Sequence, residues 1–236
     1  MQPAEPAALA IFVDYDGTIT NVDTFDLLVR SAAGDGPWDA IEADIANGTC
    51  SLRRALERQA ALIRMSPEEA FAIVEREAYI DSTFPAFVDA ARAAGAKLTV
   101  VSSGMRQMIE PRLHRLGVDV PIIANDVTFD RTGWRLSFVD DSANGHDKAA
   151  RVRAARAAGA RTVYVGDGIS DFEAALEADV RFAKEHRALE RHCRERGIPC
   201  TSFARFDEIE RALFTAASFS RPGPSSLDRC SVGPHA

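Results

Sequence analysis

Acidic and hydroxyl side chains in this sequence gather where short apolar runs end. The run 8–14 leads into Asp14-Tyr15-Asp16-Gly17-Thr18, and the run 97–103 into Ser102-Ser103-Gly104. A third, 161–167, opens into Gly166-Asp167-Gly168-Ile169-Ser170-Asp171. Asp14 and Asp16 are two residues apart, so on extended backbone both carboxylates point the same way. Two close carboxylates repel unless a cation separates them. With Asp167 they form a hard, all-oxygen set that suits Mg²⁺, and no His or Cys stands near these turns to favour zinc. Gly17, Gly104 and Gly168 let backbone N–H groups come close to an anion. Helices that begin after Ser102 and Asp167 add positive dipole ends. Lysine is scarce: only Lys97, Lys148 and Lys184 occur. Lys97 starts its run at the remote end and Lys184 follows a later run, which leaves Lys148 as the best-placed ammonium. A divalent cation, one ammonium, hydroxyl donors and bare amides describe a site for a phosphoryl group. A carboxylate in such a site can serve as nucleophile.

These groups meet only if the elements bring them together. Five runs (8–14, 97–103, 120–125, 161–167 and 179–183) read as buried strands, each next to a helical stretch. Residues 84–95 place Phe84, Phe87, Val88 and Ala91 on one face and stop at a glycine. The stretches 105–116, 146–158, 170–178 and 185–196 repeat the helical pattern. Strands alternating with helices predict an α/β, Rossmann-like parallel sheet covered on both faces. Ligands of such sheets collect at the carboxyl ends of the strands, where all the polar groups above fall.

Two segments break the alternation. Residues 21–80 read as three or four helices without a strand, too long for one crossover. Ser66-Pro67-Glu68-Glu69 marks the last helix start, with Ser at the N-cap, Pro at N1 and Glu at N3. A helical block of this size must stand outside the sheet as a cap, joined near residues 20 and 81 to a core expected over 1–20 and 81–217. Residues 127–138 alternate toward and away from a Gly-bearing turn, Val127 and Phe129 before it, Trp134, Leu136 and Phe138 after it. They predict a β-hairpin decorating the edge of the core. Residues 218–236, rich in Pro, Gly and Ser, read as a disordered tail.

Composition narrows the class. With 28 Lys plus Arg against 35 Asp plus Glu, the net charge of −7 argues against a general nucleic-acid binder. The apolar run 7–13 is far shorter than the roughly 20 residues of a membrane span. The basic segment of a secretory signal is missing at the N-terminus, so a cytoplasmic protein is expected. Cys50, Cys193, Cys200 and Cys230 are too scattered for a disulfide framework.

At these residues the sequence resembles the haloacid dehalogenase superfamily of phosphatases. Its four motifs appear in order: DYDGT at 14–18, Ser102 at a strand end, Lys148, and GDGISD at 166–171. The likeness is closer to the phosphoserine-phosphatase-like branch and, within it, to the methylthio-ketopentenyl-phosphate phosphatases. Those share forms of DYDGTIT, SSGM, NDVTF and GDGISDFEAA. The resemblance implies a type-one helical cap and a set of roles. Asp14 would be the nucleophile and Asp16 the general acid, then base. The side chains of Asp14 and Asp167 and the carbonyl of Asp16 would hold Mg²⁺. Ser102 and Lys148 would bind phosphoryl oxygens, and Asp171 would orient Lys148 or a metal-bound water. Asp23 stands where phosphoserine phosphatases carry a substrate-contacting cap glutamate; an acidic residue complementing a helix dipole is the plainer reading. Ser103 replaces the family's glycine beside Gly104, altering the phosphate-side loop.

The implied activity is Mg²⁺-dependent hydrolysis of a small phosphorylated metabolite. A sugar-like or keto-sugar phosphate is expected, including a pentose-bearing biosynthetic intermediate. In SLRRAL, Ala55 occupies the place of the arginine that holds the carboxylate of phosphoserine, which disfavours that substrate. A phosphomutase of the same chemistry is the near rival. A phospho-switch or a metabolite-binding protein is the rival of another class, though a receiver-type switch would have no use for Asp16 or a cap. Asp171 has a plain alternative as a helix N-cap, His146, two before Lys148, reads either as a residue supporting the site from behind or, more plainly, as a loop histidine, and 187–196 as a solvated arginine-rich helix face.

Overall fold

Alternation of β-branched runs with amphipathic stretches produces a seven-stranded sheet in this computed structural model, which describes residues 8–130 and 132–214. Its strands are β1 (Leu9–Val13), β2 (Lys97–Met105), β3 (Ile122–Asp130), β4 (Gly133–Ser137), β5 (Arg161–Gly166), β6 (Val180–Lys184) and β7 (Thr201–Phe203), in the order β4-β3-β2-β1-β5-β6-β7. All pairings are parallel except β3 with β4. The chain leaves central β1 toward β2 and β3, then returns to its other side for β5, β6 and β7. The order therefore reverses at β1, and a crevice opens there at the carboxyl ends.

Side-chain alternation along β1 feeds two cores. Ile11 and Val13 join Phe84, Phe87 and Val88 of α5 (Phe84–Ala93), Ile109 and Leu113 of α6 (Arg106–Arg115), and Phe206 and Ile209 of α10 (Phe206–Phe214). Ala10 and Phe12 face the other layer. There they meet Ala149 and Val152 of α7 (Lys148–Ala157), Ala174 and Ala175 of α8 (Phe172–Glu177), and Leu189 and Cys193 of α9 (Ala188–Glu195). Burial on both faces explains why these strands read as continuous apolar runs.

Residues 21–80 contribute α1 (Thr24–Ala33), α2 (Asp35–Ala46), α3 (Leu52–Leu62) and α4 (Pro67–Glu77). Ser66 and Glu69 make the capping box that starts α4, with Pro67 at its first position. The two connections to the sheet run side by side: Thr20 bridges Ile80 antiparallel, and Asn21 N–H donates to the Tyr79 carbonyl at 3.0 Å. Arg112 of α6 clamps this junction. Only 5% exposed, it bonds Glu75 of α4 at 2.8 Å, the Tyr15 hydroxyl at 3.0 Å and the Ala78 carbonyl.

The hairpin differs from its expectation. β3 runs unbroken from Ile122 to Asp130, so the strand expected at 120–125 and the first hairpin arm are one element. The hairpin is also more than an edge decoration. Trp134, 2% exposed, packs among Phe25, Leu28, Leu56, Ile63 and Val74 of the helical segment. Its indole N–H donates to the Met65 carbonyl at 2.8 Å. β7 and α10 were not anticipated, and the helices of the core end one or two residues earlier than their periodicity suggests and begin up to three residues later. The tail expected at 218–236 lies outside the described residues. Among those described, no helix is long and apolar enough to cross a membrane.

Candidate active site

At the carboxyl end of β1 the chain turns sharply, with Gly17 at φ +75°. A Cβ there would collide with the Asp167 carboxylate, so glycine is required both by conformation and by the close approach. Asp14 N–H donates to the Val165 carbonyl at 2.9 Å, which seats the loop beside β5. Asp14 is 4% exposed, and its Oδ1 accepts from Lys148 Nζ at 2.6 Å. The same ammonium reaches Asp171 Oδ1 at 2.8 Å and Ser170 Oγ at 3.0 Å. Its three hydrogens are thus all engaged, which fixes its position. Burial alone would discharge Lys148, but Asp14 and Asp171 outweigh it and raise its pKa.

Asp171 sits at the N-cap position of α8 but does not cap it. Its Oδ2 accepts the amides of Asp167 and Gly168, both at 2.9 Å, and Oδ1 also accepts the Tyr164 hydroxyl at 2.6 Å. Burial pushes its carboxyl up; Lys148, Tyr164 and the Gly168 amide together overcome that and hold it below the ordinary range. With both oxygens occupied, Asp171 is suited to orienting the ammonium.

Asp167 and Asp14 are different. Carboxylate oxygens of Asp14, Asp167 and Asp171 lie within 4.8 Å of one another. Thr18 Oγ1 stands 3.3 Å from both Asp14 and Asp167. Burial, then the charges of Asp171 and Asp167, raise the Asp14 carboxyl well above its ordinary value despite Lys148. Asp167 is pushed up to about 7 by burial and Asp171. Two acids crowded in this way are what a divalent cation relieves, and the donor set around them is entirely oxygen.

Asp16 faces away from this cluster toward the helical segment. Its Oδ1 accepts the N–H and hydroxyl of Thr24, at 3.0 and 2.6 Å, from the first turn of α1. Its Oδ2 lies 3.2 Å from Ser102 Oγ, which in turn accepts Gly104 N–H at 2.8 Å. Burial raises the Asp16 carboxyl against these bonds, favouring the proton-bearing form of a general acid. A Cβ on Gly104 would strike Asp16.

The remaining expectations fall as follows. Asp23 lines the cavity but also caps α1, its Oδ1 accepting the amides of Phe25 and Asp26 at 2.8 and 2.9 Å. Ser103 lines the cavity too. Its carbonyl accepts from Asn125 Nδ2 at 2.8 Å, and its buried Oγ has no partner among the described residues. Ala55 is wholly buried in the helical segment, and Arg54 points outward to Glu57.

Sequence reasoning missed several participants. Thr18 and Thr24 carry no signal beyond their place next to the acids. Tyr164 is hidden inside an apolar run. His146 does lie in a loop, as its plainer reading had it, but is only 1% exposed, with Nδ1 2.9 Å from the Ser102 carbonyl, which favours the supporting role; burial lowers its pKa. Arg187 belongs to the cavity lining rather than to a purely solvated face, and it donates to the Asn21 carbonyl at 2.8 Å.

Known proteins resemble this chain in sequence and fold. The sequence profile described as haloacid dehalogenase-like hydrolase matches residues 11–176. A polyol phosphate phosphatase of Saccharomyces cerevisiae is 31% identical over 217 residues, covering 84% of this chain and 90% of its own. The 2-hydroxy-3-keto-5-methylthiopentenyl-1-phosphate phosphatase of Exiguobacterium sibiricum is 25% identical over 219 residues, covering 90% and 99%. Among solved structures, a phospho-aspartyl intermediate analogue of phosphoserine phosphatase superposes with a TM-score of 0.68 at 20% identity, covering 86% of this chain and 98% of its own. Matched over residues 11–176, the chain belongs to the haloacid dehalogenase-like hydrolase family and is a phosphoric monoester hydrolase.

Proposed function

We propose that this enzyme hydrolyses a small phosphorylated metabolite, sugar-like or keto-sugar-like, through a phosphoryl group held covalently on Asp14. The observation that carries the reading is the Lys148 ammonium bound at 2.6 Å to Asp14 and 2.8 Å to Asp171, with Asp167 alongside. Residues 21–80 act in this reading as a cap over a core drawn from 1–20 and 81–217.

Mg²⁺ fits the donor set, with the side chains of Asp14 and Asp167 and the Asp16 carbonyl as the groups that would hold it. Bound there, it supplies positive charge that lets an anionic nucleophile approach an anionic phosphate. Asp14 attacks phosphorus, forming an acyl-phosphate bond as the bond to the leaving oxygen breaks. Asp16 gives its proton to that oxygen. Water then loses a proton to Asp16 and attacks the same phosphorus, freeing Asp14 and inorganic phosphate. Lys148 and the Ser102 loop offset the charge on the equatorial oxygens.

Phosphate release from a panel of phosphorylated metabolites with Mg²⁺, comparing wild type with Asp14→Asn, tests this. Wild type should release phosphate, with a loss of about 10³-fold or more in the variant. An Asp14→Asn enzyme as active as wild type, or an isomerised product without released phosphate, would overturn it.

A further inference from the structure

Above the acidic floor is a cavity of about 650 Å³ whose far wall takes no part in phosphoryl chemistry. Asp26 of α1, Trp38 and Glu42 of α2 and Gln59 of α3 form that wall, with Asp23 at its near end. Gln59 is 3% exposed. Its amide nitrogen donates to Glu42 at 3.3 Å, and its carbonyl oxygen meets no donor among the described residues. The indole N–H of Trp38 is already engaged with Asp26 at 2.7 Å. The wall thus offers three carboxylates, of Asp23, Asp26 and Glu42, and the Gln59 carbonyl as acceptors, against one spare N–H of the Gln59 amide as donor.

No cation of α1, α2 or α3 lines the cavity. Arg30 lies outside the lining, 3.8 Å over the Trp38 ring and paired with Asp35. Of the lining cations, Lys148 is bound on the floor and Arg187 stands at the mouth, donating to the Asn21 carbonyl. Burial and then the neighbouring Asp26 charge hold the Glu42 carboxyl above its ordinary range. Against this wall a substrate carboxylate would meet the like charges of Asp23, Asp26 and Glu42. A neutral alcohol would satisfy the acceptors but leave their charge unopposed. A protonated amine answers both, and the aromatic side chains of Trp38 and Phe25 line the same cavity.

We propose that the leaving group carries a protonated amine, as in an amino-sugar or amino-polyol phosphate, and that Asp26, Glu42 and Gln59 select it. This rests on the phosphatase reading above. Matched substrate pairs that differ only by ammonium or hydroxyl provide the test: glucosamine 6-phosphate against glucose 6-phosphate, and aminoethyl phosphate against hydroxyethyl phosphate. In at least one pair the amine should have a kcat/KM about tenfold or more higher. Glu42→Gln and Asp26→Asn, which keep shape and remove charge, should each bring that ratio several-fold closer to one. Phosphate release with no amine preference in any pair, or a preference untouched by both substitutions, overturns the proposal and leaves the phosphatase reading standing. Absence of release from every phosphate monoester would instead reject that reading.

Discussion

Asp16 and Asp167 are chemically alike, yet their surroundings give them opposite tasks. Asp16 is enclosed by Thr24 and Ser102, and burial lifts its carboxyl above the ordinary value; Asp167 stands among negative charges that a cation would neutralise. Asp16→Asn should slow hydrolysis of an alkyl phosphate by about 10²–10⁴-fold. It should slow the first-turnover burst of para-nitrophenolate from para-nitrophenyl phosphate much less, because that leaving oxygen needs no proton, while the later attack of water is slowed for both substrates. Equal losses in the first, phosphoryl-accepting step on both substrates would deny Asp16 the acid role. Asp167 provides a pH test. Its carboxyl titrates near 7 in the folded chain, above the unfolded value, so without metal its contribution to stability is full below the unfolded pKa. That contribution is lost as pH rises through 7. A bound divalent cation requires the ionised form, so apparent Mg²⁺ affinity should rise roughly tenfold between about pH 6 and about pH 8. Thermal shift with and without Mg²⁺ measures it, and a pH-independent increment would contradict the assignment. The gathering of Asp14, Asp16, Ser102, Lys148 and Asp167 was legible in the sequence because the acids and the hydroxyl end apolar runs and lysine is scarce, whereas Asp171 entered through the motif resemblance and His146 only through its place two before Lys148. Thr24 and Tyr164 were not legible, because their partners lie on other elements and nothing local marks them.

At the scale of elements, the helical segment is fastened to the sheet on two sides. Arg112 of α6 ties the C-terminal end of α4 to Tyr15, and Trp134 of β4 ties the end of α3 through Ile63 and Met65. Trp134→Ala removes a buried indole from this joint and should cost about 3–5 kcal/mol of stability, read from urea unfolding. A loss within about 0.5 kcal/mol, the range of ordinary surface substitutions, would mean that the hairpin does not support the helices. The hairpin's alternation was readable, whereas its role as a seat for α3 was not, since packing partners leave no mark on a single strand. β7 escaped notice for another reason: three residues, two of them exposed, are too few to show a period. α10 did have a readable stripe, Phe206, Ile209 and Leu213, all buried in the core.

For the whole molecule, the reversal of strand order at β1 accounts for the site. Residues as far apart as Asp14 and Lys148 touch because β1, β2 and β5 lie side by side and all point their carboxyl ends at one crevice. The helices over that crevice leave a cavity of about 650 Å³, the size of a small-molecule site. Phosphopeptides should accordingly be hydrolysed at least about 10²-fold more slowly than sugar phosphates at equal concentration, because they cannot bring phosphorus into line with Asp14. Comparable rates on both would show that the helices do not restrict entry.

The covalent step can be caught directly. Enzyme turning over substrate with Mg²⁺ is quenched, reduced with borohydride, which converts an aspartyl phosphate to homoserine, and digested for peptide mass spectrometry. Homoserine at position 14, dependent on substrate and absent from Asp16, Asp167 and Asp171, is the predicted result. Rapid phosphate release with position 14 still aspartate and the reduced residue at another acid would contradict the account.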